Sequence, residues 1–206
     1  MAHARLLDIA IREFGSKGLD GASTRSIAAA AKTAMSSITY HYGGKEGLYL
    51  AAADRIAELM AAMMTESLPF DDAMTDDPDT ARTWIHRILG RLIDKMATDA
   101  SGDWTLFVMR EQMRPSAAFD RIYGGVMGQL VRTLAELVRV ATGTDMRAAK
   151  ITTITLMGQV LALRANRATC LRLLDRDALD ADDIAQIKAR IDANIDAILD
   201  SMRGPA

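Results

Sequence analysis

The order of hydrophobic and polar residues predicts a helix at the start of the chain. Apolar side chains recur every three or four positions over residues 4–16, as they do on the buried face of an amphipathic helix. These side chains are Leu6, Leu7, Ala10, Ile11 and Phe14. Gly18 follows at a position where a left-handed helix end is expected.

Two short helices and a longer one are predicted next. Ser23 is a suitable N-cap for the second helix. A tight turn at residues 32–34 leads into a third helix over residues 35–42. The Gly43-Gly44 pair ends this helix, and a fourth helix runs from residue 45 towards residue 65.

Residues 69–80 contain five Asp and two Pro, which predicts a surface loop or linker. The helical spacing then resumes and predicts five further helices, over residues 80–98, 104–113, 116–141, 145–174 and 181–202. We therefore predict an all-α fold. A three-helix N-terminal domain over residues 1–46 is joined by a long helix to a helical C-terminal domain over residues 47–206.

The last two predicted helices have surfaces that need a covering partner. One has a narrow apolar stripe, formed by Ile184, Ile187, Ile191, Ile195, Ile198 and Met202. The helix over residues 145–174 has an uncharged centre, so more than one of its faces is expected to be buried. A second copy of the chain would provide that cover. The alternative is that both helices close the core of a single chain.

Composition and charge agree with a helical protein that has a cationic head. Half of the 206 residues are hydrophobic and 5% are aromatic, which excludes a disordered chain. The net charge is −2, yet residues 1–50 contain six Lys or Arg against four Asp or Glu, which leaves +2 there. This asymmetry fits an N-terminal region that meets an anionic partner.

The sequence also favours a reducing, cytoplasmic location. Cys170 is the single cysteine, so an intrachain disulfide is excluded. Asp8, Arg12 and Glu13 interrupt any apolar run of the kind that opens a secretory leader. The uncharged stretch over residues 151–163 is too short to span a bilayer. We therefore expect no membrane partner.

The third predicted helix has a surface suited to DNA. Two short helices with a tight turn between them form the geometry that places the second helix in a major groove. Residues 34–43 have no formal charge but contain hydroxyls and rings, at Ser36, Ser37, Thr39, Tyr40, His41 and Tyr42. Such groups bond phosphates and base edges. Ile38 is expected to point back into the core.

The run from Arg5 to Leu50, above all SSITYHYGGKEGLYL, closely resembles the DNA-binding domain of TetR-family regulators. The resemblance places eight residues at the DNA. Those that contact phosphates are Ser23, Arg25 and Lys45. Those that position the third helix on the backbone are Tyr40 and His41. Those at or near the bases are Ser36, Ser37 and Thr39.

Some of these positions also have a structural interpretation. Ser23 can act as a helix cap with or without a DNA contact, His41 can be a simple helix-end residue, and Tyr42 is expected in the core. The chain departs from the family pattern at Lys32, where Gly is common, and a non-Gly residue there meets an unfavourable backbone angle. Ala34 likewise replaces a capping Ser, and Gly43 replaces a frequent Pro.

Two later stretches, FVMREQMRPSAAFD and LMGQVLALRANR, resemble the C-terminal domain of the CecR-like branch of this family. The resemblance implies a domain that binds an effector and contributes two helices per subunit to a four-helix homodimer interface. The helices over residues 145–174 and 181–202 are the candidates. Gly158 would allow close approach there, and Gln159 could bond across the interface.

We expect a largely apolar small molecule as the effector, bound among the helices of the C-terminal domain. The candidate ligand residues are Met63, Trp84, Trp104, Phe107, Arg110, Glu111 and Met127. The alternative for the apolar members is that they only fill contacts between helices. Arg110 and Glu111 either anchor a polar group of the ligand or pair with each other and with their neighbours.

The sequence therefore predicts a homodimeric regulator, most simply a repressor that a small-molecule effector releases from palindromic operator DNA. An architectural DNA-binding protein without an effector is the alternative. An enzyme is disfavoured, because His3, His41 and His86 are isolated along the sequence and no Glu-x-x-His pattern occurs. No metal or cofactor is expected.

Overall fold

The computed structural model describes residues 2–65, 75–97 and 104–203, and within these ranges it contains helices and no strand. The helices are α1 (Ala2–Gly21), α2 (Thr24–Ala31), α3 (Met35–Tyr42), α4 (Lys45–Thr65), α5 (Pro78–Ala97), α6 (Thr105–Met113), α7 (Ala117–Ile122), a π-helical turn (Tyr123–Met127), α8 (Gly128–Thr142), α9 (Met146–Ala165), α10 (Arg167–Leu173) and α11 (Ala181–Met202). The all-α prediction is confirmed. Of the helices in these ranges, none is long and apolar enough to cross a bilayer.

The chain folds into two compact units. Residues 1–64 and 101–129 form the first, and residues 65–100 and 130–206 form the second. The first unit thus combines α1–α4 with α6, α7 and the π-helical turn. The predicted boundary between a DNA-binding domain and a ligand-binding domain, at residues 46 and 47, stays a prediction. The two compact units group the helices differently.

The core of the first unit forms around stacked aromatic rings. The ring of Tyr49 in α4 lies edge-on to Phe14 of α1, with centroids 4.9 Å apart, and stacks on Phe107 of α6 at 4.5 Å. Of the predicted inner face of α1, Leu6, Ala10, Ile11 and Phe14 are buried as expected, whereas Leu7 is half-buried against the same core. α1 and α6 pack closely against each other.

The second unit has its core between α5, α8, α9 and α11. Buried aliphatic residues from the four helices meet there, including Ile85, Leu89, Val138, Val160 and Ile195. The predicted apolar stripe of α11 is only partly correct. Ile191 and Ile195 are buried, whereas Ile184, Ile187 and Ile198 are half-buried; Leu199, which the prediction omitted, is buried.

Three of the predicted helices differ clearly from the structure: one is longer than predicted, and two are interrupted. The first helix continues beyond Ser16 to Gly21, across a kink at Gly18 (φ 74°, ψ 176°) that glycine tolerates. The predicted helix over residues 116–141 is interrupted by the π-helical turn, where Gly125 has non-helical angles and lies against Ala57 of α4. The predicted helix over residues 145–174 breaks at Asn166, a weak helix former.

A polar network joins α5 to α11 in the second unit. The Arg82 guanidinium lies 2.7 Å from Asp196 Oδ1 and 2.6 Å from Asp200 Oδ1. The two ring nitrogens of His86 lie 3.1 Å from Asp192 and 2.8 Å from Asp196. The hydrogen bond from Arg82 lowers the pKa of Asp200. Partial burial opposes a lower pKa at Asp196, but hydrogen bonds from Arg82 and His86 outweigh it.

This network predicts how stability depends on pH. Because the folded pKa values of Asp196 and Asp200 lie below the unfolded value of about 3.8, their contribution is complete above that pH and is lost as the pH falls through the folded values. Arg82→Ala should lower the free energy of unfolding at pH 7 by about 0.5–1 kcal/mol, as for other partly exposed ion pairs. Urea unfolding followed by circular dichroism measures this.

The loss of stability as the pH falls below the unfolded pKa of about 3.8 should also be shallower in Arg82→Ala than in the wild type. Arg91→Ala, an exposed position on the same helix, is the matched control and should change neither quantity, at equal protein concentration. If the free energy of unfolding falls with pH in the same way in the wild type and in Arg82→Ala, the pH dependence does not come from the ion pairs of Arg82.

Candidate DNA-binding surface

The helix-turn-helix geometry is set by the ends of α2 and α3. The Ser23 hydroxyl accepts a hydrogen bond from the Ser26 amide and caps α2, as predicted. Lys32 ends α2 in the left-handed region at φ 54° and ψ 43°, which confirms the expected unfavourable angle. Ala34 makes no side-chain cap at the start of α3. Gly43 closes α3 with φ 72°, a conformation that suits glycine.

α3 has one buried residue and an outward face of polar and aromatic side chains. Ile38 is buried in the core of the first unit, as predicted. Ser36, Thr39 and His41 are exposed, and Ser37 is half-buried. Tyr40 is 86% exposed, an unusual environment for so large a ring. This face is therefore available to a partner.

Positively charged side chains lie on α2 and α4, the helices that precede and follow α3 along the chain. Arg25 is exposed on α2. Lys45 begins α4, and its Nζ donates a hydrogen bond to the Asp20 carbonyl oxygen at 2.9 Å. The first turn of α4 also has the partial positive charge of a helix N-terminus, which favours an anion. The helices before and after the uncharged residues of α3 thus each contribute a cationic residue.

An aromatic cluster on this surface escaped the sequence prediction. The Tyr42 hydroxyl lies 2.9 Å from Nδ1 of His3, on the first turn of α1. The His3 ring is edge-on to His41 at 4.8 Å, and His41 is edge-on to Tyr40 at 5.0 Å. Partial burial raises the pKa of Tyr42. His3 and His41, isolated along the sequence, are neighbours in space.

The candidate ligand residues are divided between the two units. Phe107 is buried in the core of the first unit, and Trp104 and Met127 pack against that core. Trp84 belongs to the second unit, where the Arg87 guanidinium lies 4.8 Å from the centre of its ring. The side chain of Met63 lies outside the described residues. The structure thus brings together three of these apolar residues.

Glu111 and Arg110 bond to neighbours rather than to each other. The Glu111 carboxylate, 3% exposed, accepts hydrogen bonds from the Tyr49 hydroxyl at 2.6 Å, from the Ser116 amide and hydroxyl, and from the Phe119 amide. Burial and the bond to Glu111 raise the pKa of Tyr49. Arg110 donates to the carbonyl oxygens of Gly15 and Ser16 on α1.

Two known families match the two halves of this architecture. Residues 6–52 match the family described as bacterial regulatory proteins of the tetR family, and residues 81–202 match the C-terminal domain of the HTH-type transcriptional dual regulator CecR. The chain therefore belongs to the TetR family of bacterial DNA-binding transcription regulators. Its C-terminal domain is of the CecR type.

Individual relatives agree with this membership. The chain is 30% identical to the dual regulator CecR of Shigella flexneri over 98% of its own length and 92% of that protein. A TetR-family regulator from Streptomyces coelicolor has the same fold, with a TM-score of 0.66 at 17% identity over 98% of this chain and 96% of that one. The structure of AibR in complex with isovaleryl coenzyme A and operator DNA has a TM-score of 0.62 at 15% identity, with both chains fully covered.

The buried Glu111 carboxylate leads to a prediction about stability. Glu111→Gln replaces a charged acceptor of four hydrogen bonds with a neutral amide that has one acceptor oxygen, so the charge-assisted bonds weaken and the Tyr49 hydroxyl loses its acceptor. We expect the free energy of unfolding to fall by about 2–4 kcal/mol. Urea unfolding at fixed protein concentration measures the loss.

Glu58→Gln is the matched control on α4. Its carboxylate is 68% exposed and pairs with Arg55, so its loss should cost less than about 0.5 kcal/mol. Equal, small effects of the two substitutions on the free energy of unfolding would show that the hydrogen bonds of Glu111 do not stabilise the packing of α4 and α7.

Proposed function

We propose that this regulator binds a near-palindromic operator as a homodimer and that a small-molecule effector changes its affinity for the DNA, most simply by releasing a repressor. The outward face of α3 is the observation on which the proposal depends. Ile38 fixes the helix to the core, while Thr39, Tyr40 and their neighbours remain exposed to a partner.

The DNA contacts follow from the position of each side chain. Ser36, Ser37 and Thr39 have hydroxyls that can bond base edges when α3 enters the major groove. Tyr40 and His41 hold the helix against the backbone, and Ser23, Arg25 and Lys45 bind phosphates. The Lys45 ammonium is held by its hydrogen bond to the Asp20 carbonyl oxygen, and Lys45 begins α4, where the helix dipole also favours a phosphate.

An exposed apolar stripe on α9 supports the homodimer. Ile151, Ile154 and Leu161 are 53%, 68% and 44% exposed, and they lie on one helix face with Gly158. Contiguous apolar surface of this kind marks an interaction site. Gln159, expected to bond across the interface, accepts a hydrogen bond from Asn194 of the same chain. We assign the stripe to a second copy, with α11 alongside.

The effector is proposed to be a largely apolar small molecule. AibR, with the same fold, was crystallised with isovaleryl coenzyme A and operator DNA. Trp104, Phe107 and Met127 share one core and are the part of the predicted ligand set that we favour. That core also includes residues of α1 and α4. A ligand bound there would therefore displace helices of the same compact unit as α2 and α3. Such coupling typically changes affinity about 5- to 150-fold.

Selection of bound sequences from random duplex DNA tests the contacts. The wild type should recover a site with dyad symmetry, since a two-fold dimer reads two related half-sites. Thr39→Ala should relax the preference at one base pair of each half-site, at a cost of about 1–3 kcal/mol per contact. Lys45→Ala should weaken binding on all sequences and reduce the salt dependence. Fluorescence anisotropy on the selected duplex measures both.

Glu58→Gln, on the exposed side of α4, is the control for these binding assays. An unchanged selected sequence for Thr39→Ala would exclude Thr39 from base recognition. Recovery of no preferred sequence by the wild type would contradict operator recognition and would instead favour an architectural DNA-binding protein.

The dimer interface is tested by charge substitution on α9. Ile154→Glu places a carboxylate in the middle of the proposed interface, where its desolvation is unfavourable. We expect a single subunit by size-exclusion chromatography with light scattering, at concentrations where the wild type is a dimer. Leu106→Glu, at an exposed apolar position on α6, should leave the dimer intact. A dimer that survives Ile154→Glu would remove α9 from the interface.

A further inference from the structure

Two of the three histidines of the chain meet on the DNA-binding surface. His3 and His41 are 38 positions apart in sequence, yet their rings are in edge-to-face contact at 4.8 Å, and both residues are exposed. The third, His86, is held by two aspartates of α11 in the second unit. Histidine is the side chain whose charge ordinarily changes between pH 5 and 8.

The bond between His3 and Tyr42 persists in both charge states of His3. When Nδ1 is unprotonated, it accepts from the Tyr42 hydroxyl, and when the ring is an imidazolium, Nδ1–H donates to the hydroxyl oxygen. Burial raises the pKa of Tyr42, so the phenol keeps its proton through this range. The bond uses Nδ1 and directs the first turn of α1 towards the end of α3. The opposite nitrogen, Nε2, can then donate to an anion.

The two rings contact neutral aromatic side chains of α3, namely Tyr40 and Tyr42. The neighbouring charges along the helices are Arg5 and Asp8 on α1 and Lys45 and Glu46 at the start of α4.

A phosphate beside the pair would favour the imidazolium form of both rings, because an opposite charge stabilises the charged form. We infer that His3 is a further DNA-binding residue and that His3 and His41 together form a phosphate-binding pair that takes up protons when DNA binds. The inference rests on the proposed function, since it places a phosphate next to α3. It makes operator affinity rise as the pH falls towards 6.

The first test is the affinity for the selected operator duplex as a function of pH, measured by fluorescence anisotropy at constant ionic strength. Each proton taken up changes the affinity at most about tenfold per pH unit. We expect the wild type to bind about 10- to 100-fold more tightly at pH 6.0 than at pH 8.0. His3→Gln and His41→Gln should each flatten this profile, and the double variant should bind almost equally at both pH values.

The salt dependence provides a measurement that a purely structural role would not change. Each additional phosphate neutralised by the protein steepens the plot of log affinity against log salt by about 0.9. Since the pair faces one phosphate, the slope for the wild type should be steeper at pH 6.0 than at pH 8.0 by about 0.9. The double glutamine variant should have one slope at both pH values.

Two further variants distinguish the loss of a histidine charge from the loss of the folded structure. His41→Lys has a fixed positive charge, so it should retain at pH 8.0 most of the affinity that the wild type has at pH 6.0. His86→Gln, the matched control in the second unit, should keep the wild-type pH profile. Thermal unfolding without DNA identifies any variant whose helices are disturbed.

Three results would overturn the inference. The wild type could bind the duplex equally at pH 6.0 and 8.0, the double glutamine variant could keep the wild-type pH and salt profiles, or His86→Gln could remove the profile. The first and second leave operator binding intact and refute only the proton uptake at this pair. If the wild type binds no duplex at any pH, the proposed function itself fails, and the inference fails with it.

Discussion

The DNA-binding surface depends on packing that α3 cannot provide for itself. A helix of eight residues is unstable alone in water, and Ile38 is the one residue of α3 that is buried. The position of α3 is therefore fixed by the core that Ile38 enters, which consists of Phe14, Tyr49, Phe107 and the aliphatic residues around them. Since three helices contribute those rings, a shift of any one of them changes where α3 can dock.

Glu111 and Arg110 give that core a polar support with directional bonds. Glu111 joins α4 to the start of α7 through four accepted hydrogen bonds, and Arg110 holds the carbonyl oxygens near the kink of α1. Hydrophobic contacts alone tolerate sliding between helices, whereas a buried carboxylate requires each donor in place. α6 thus fixes α1 and α4 in one arrangement. A ligand that moves α6 would act on the DNA-binding helices directly, within one compact unit.

Local sequence patterns predicted the bounds of the helices near α3 better than they predicted the contacts between residues that are distant in sequence. The bounds of α3, α4 and α11 and the cap at Ser23 were predictable because apolar periodicity, N-capping residues and glycines act over a few positions. The breaks at Gly125 and Asn166 were missed, because the apolar pattern continues across both. The packing of α6 on α1 and the contact between His3 and His41 join distant parts of the chain, and no local pattern encodes such contacts.

Because residues of α3 have no formal charge, the side chains that would read the DNA sequence differ from those that would provide most of the affinity for DNA. A helix of eight residues is about 12 Å long and spans about four base pairs at 3.4 Å each, so one copy reads a short sequence that recurs often in a genome. In the proposed complex its hydroxyls discriminate bases but bind phosphates weakly, so most of the affinity would come from nearby cations, for which we propose Arg25, Lys45 and the histidine pair. Those cations bind any sequence. Specificity then requires two copies of α3 at a fixed separation, which the proposed homodimer through the exposed stripe on α9 would supply.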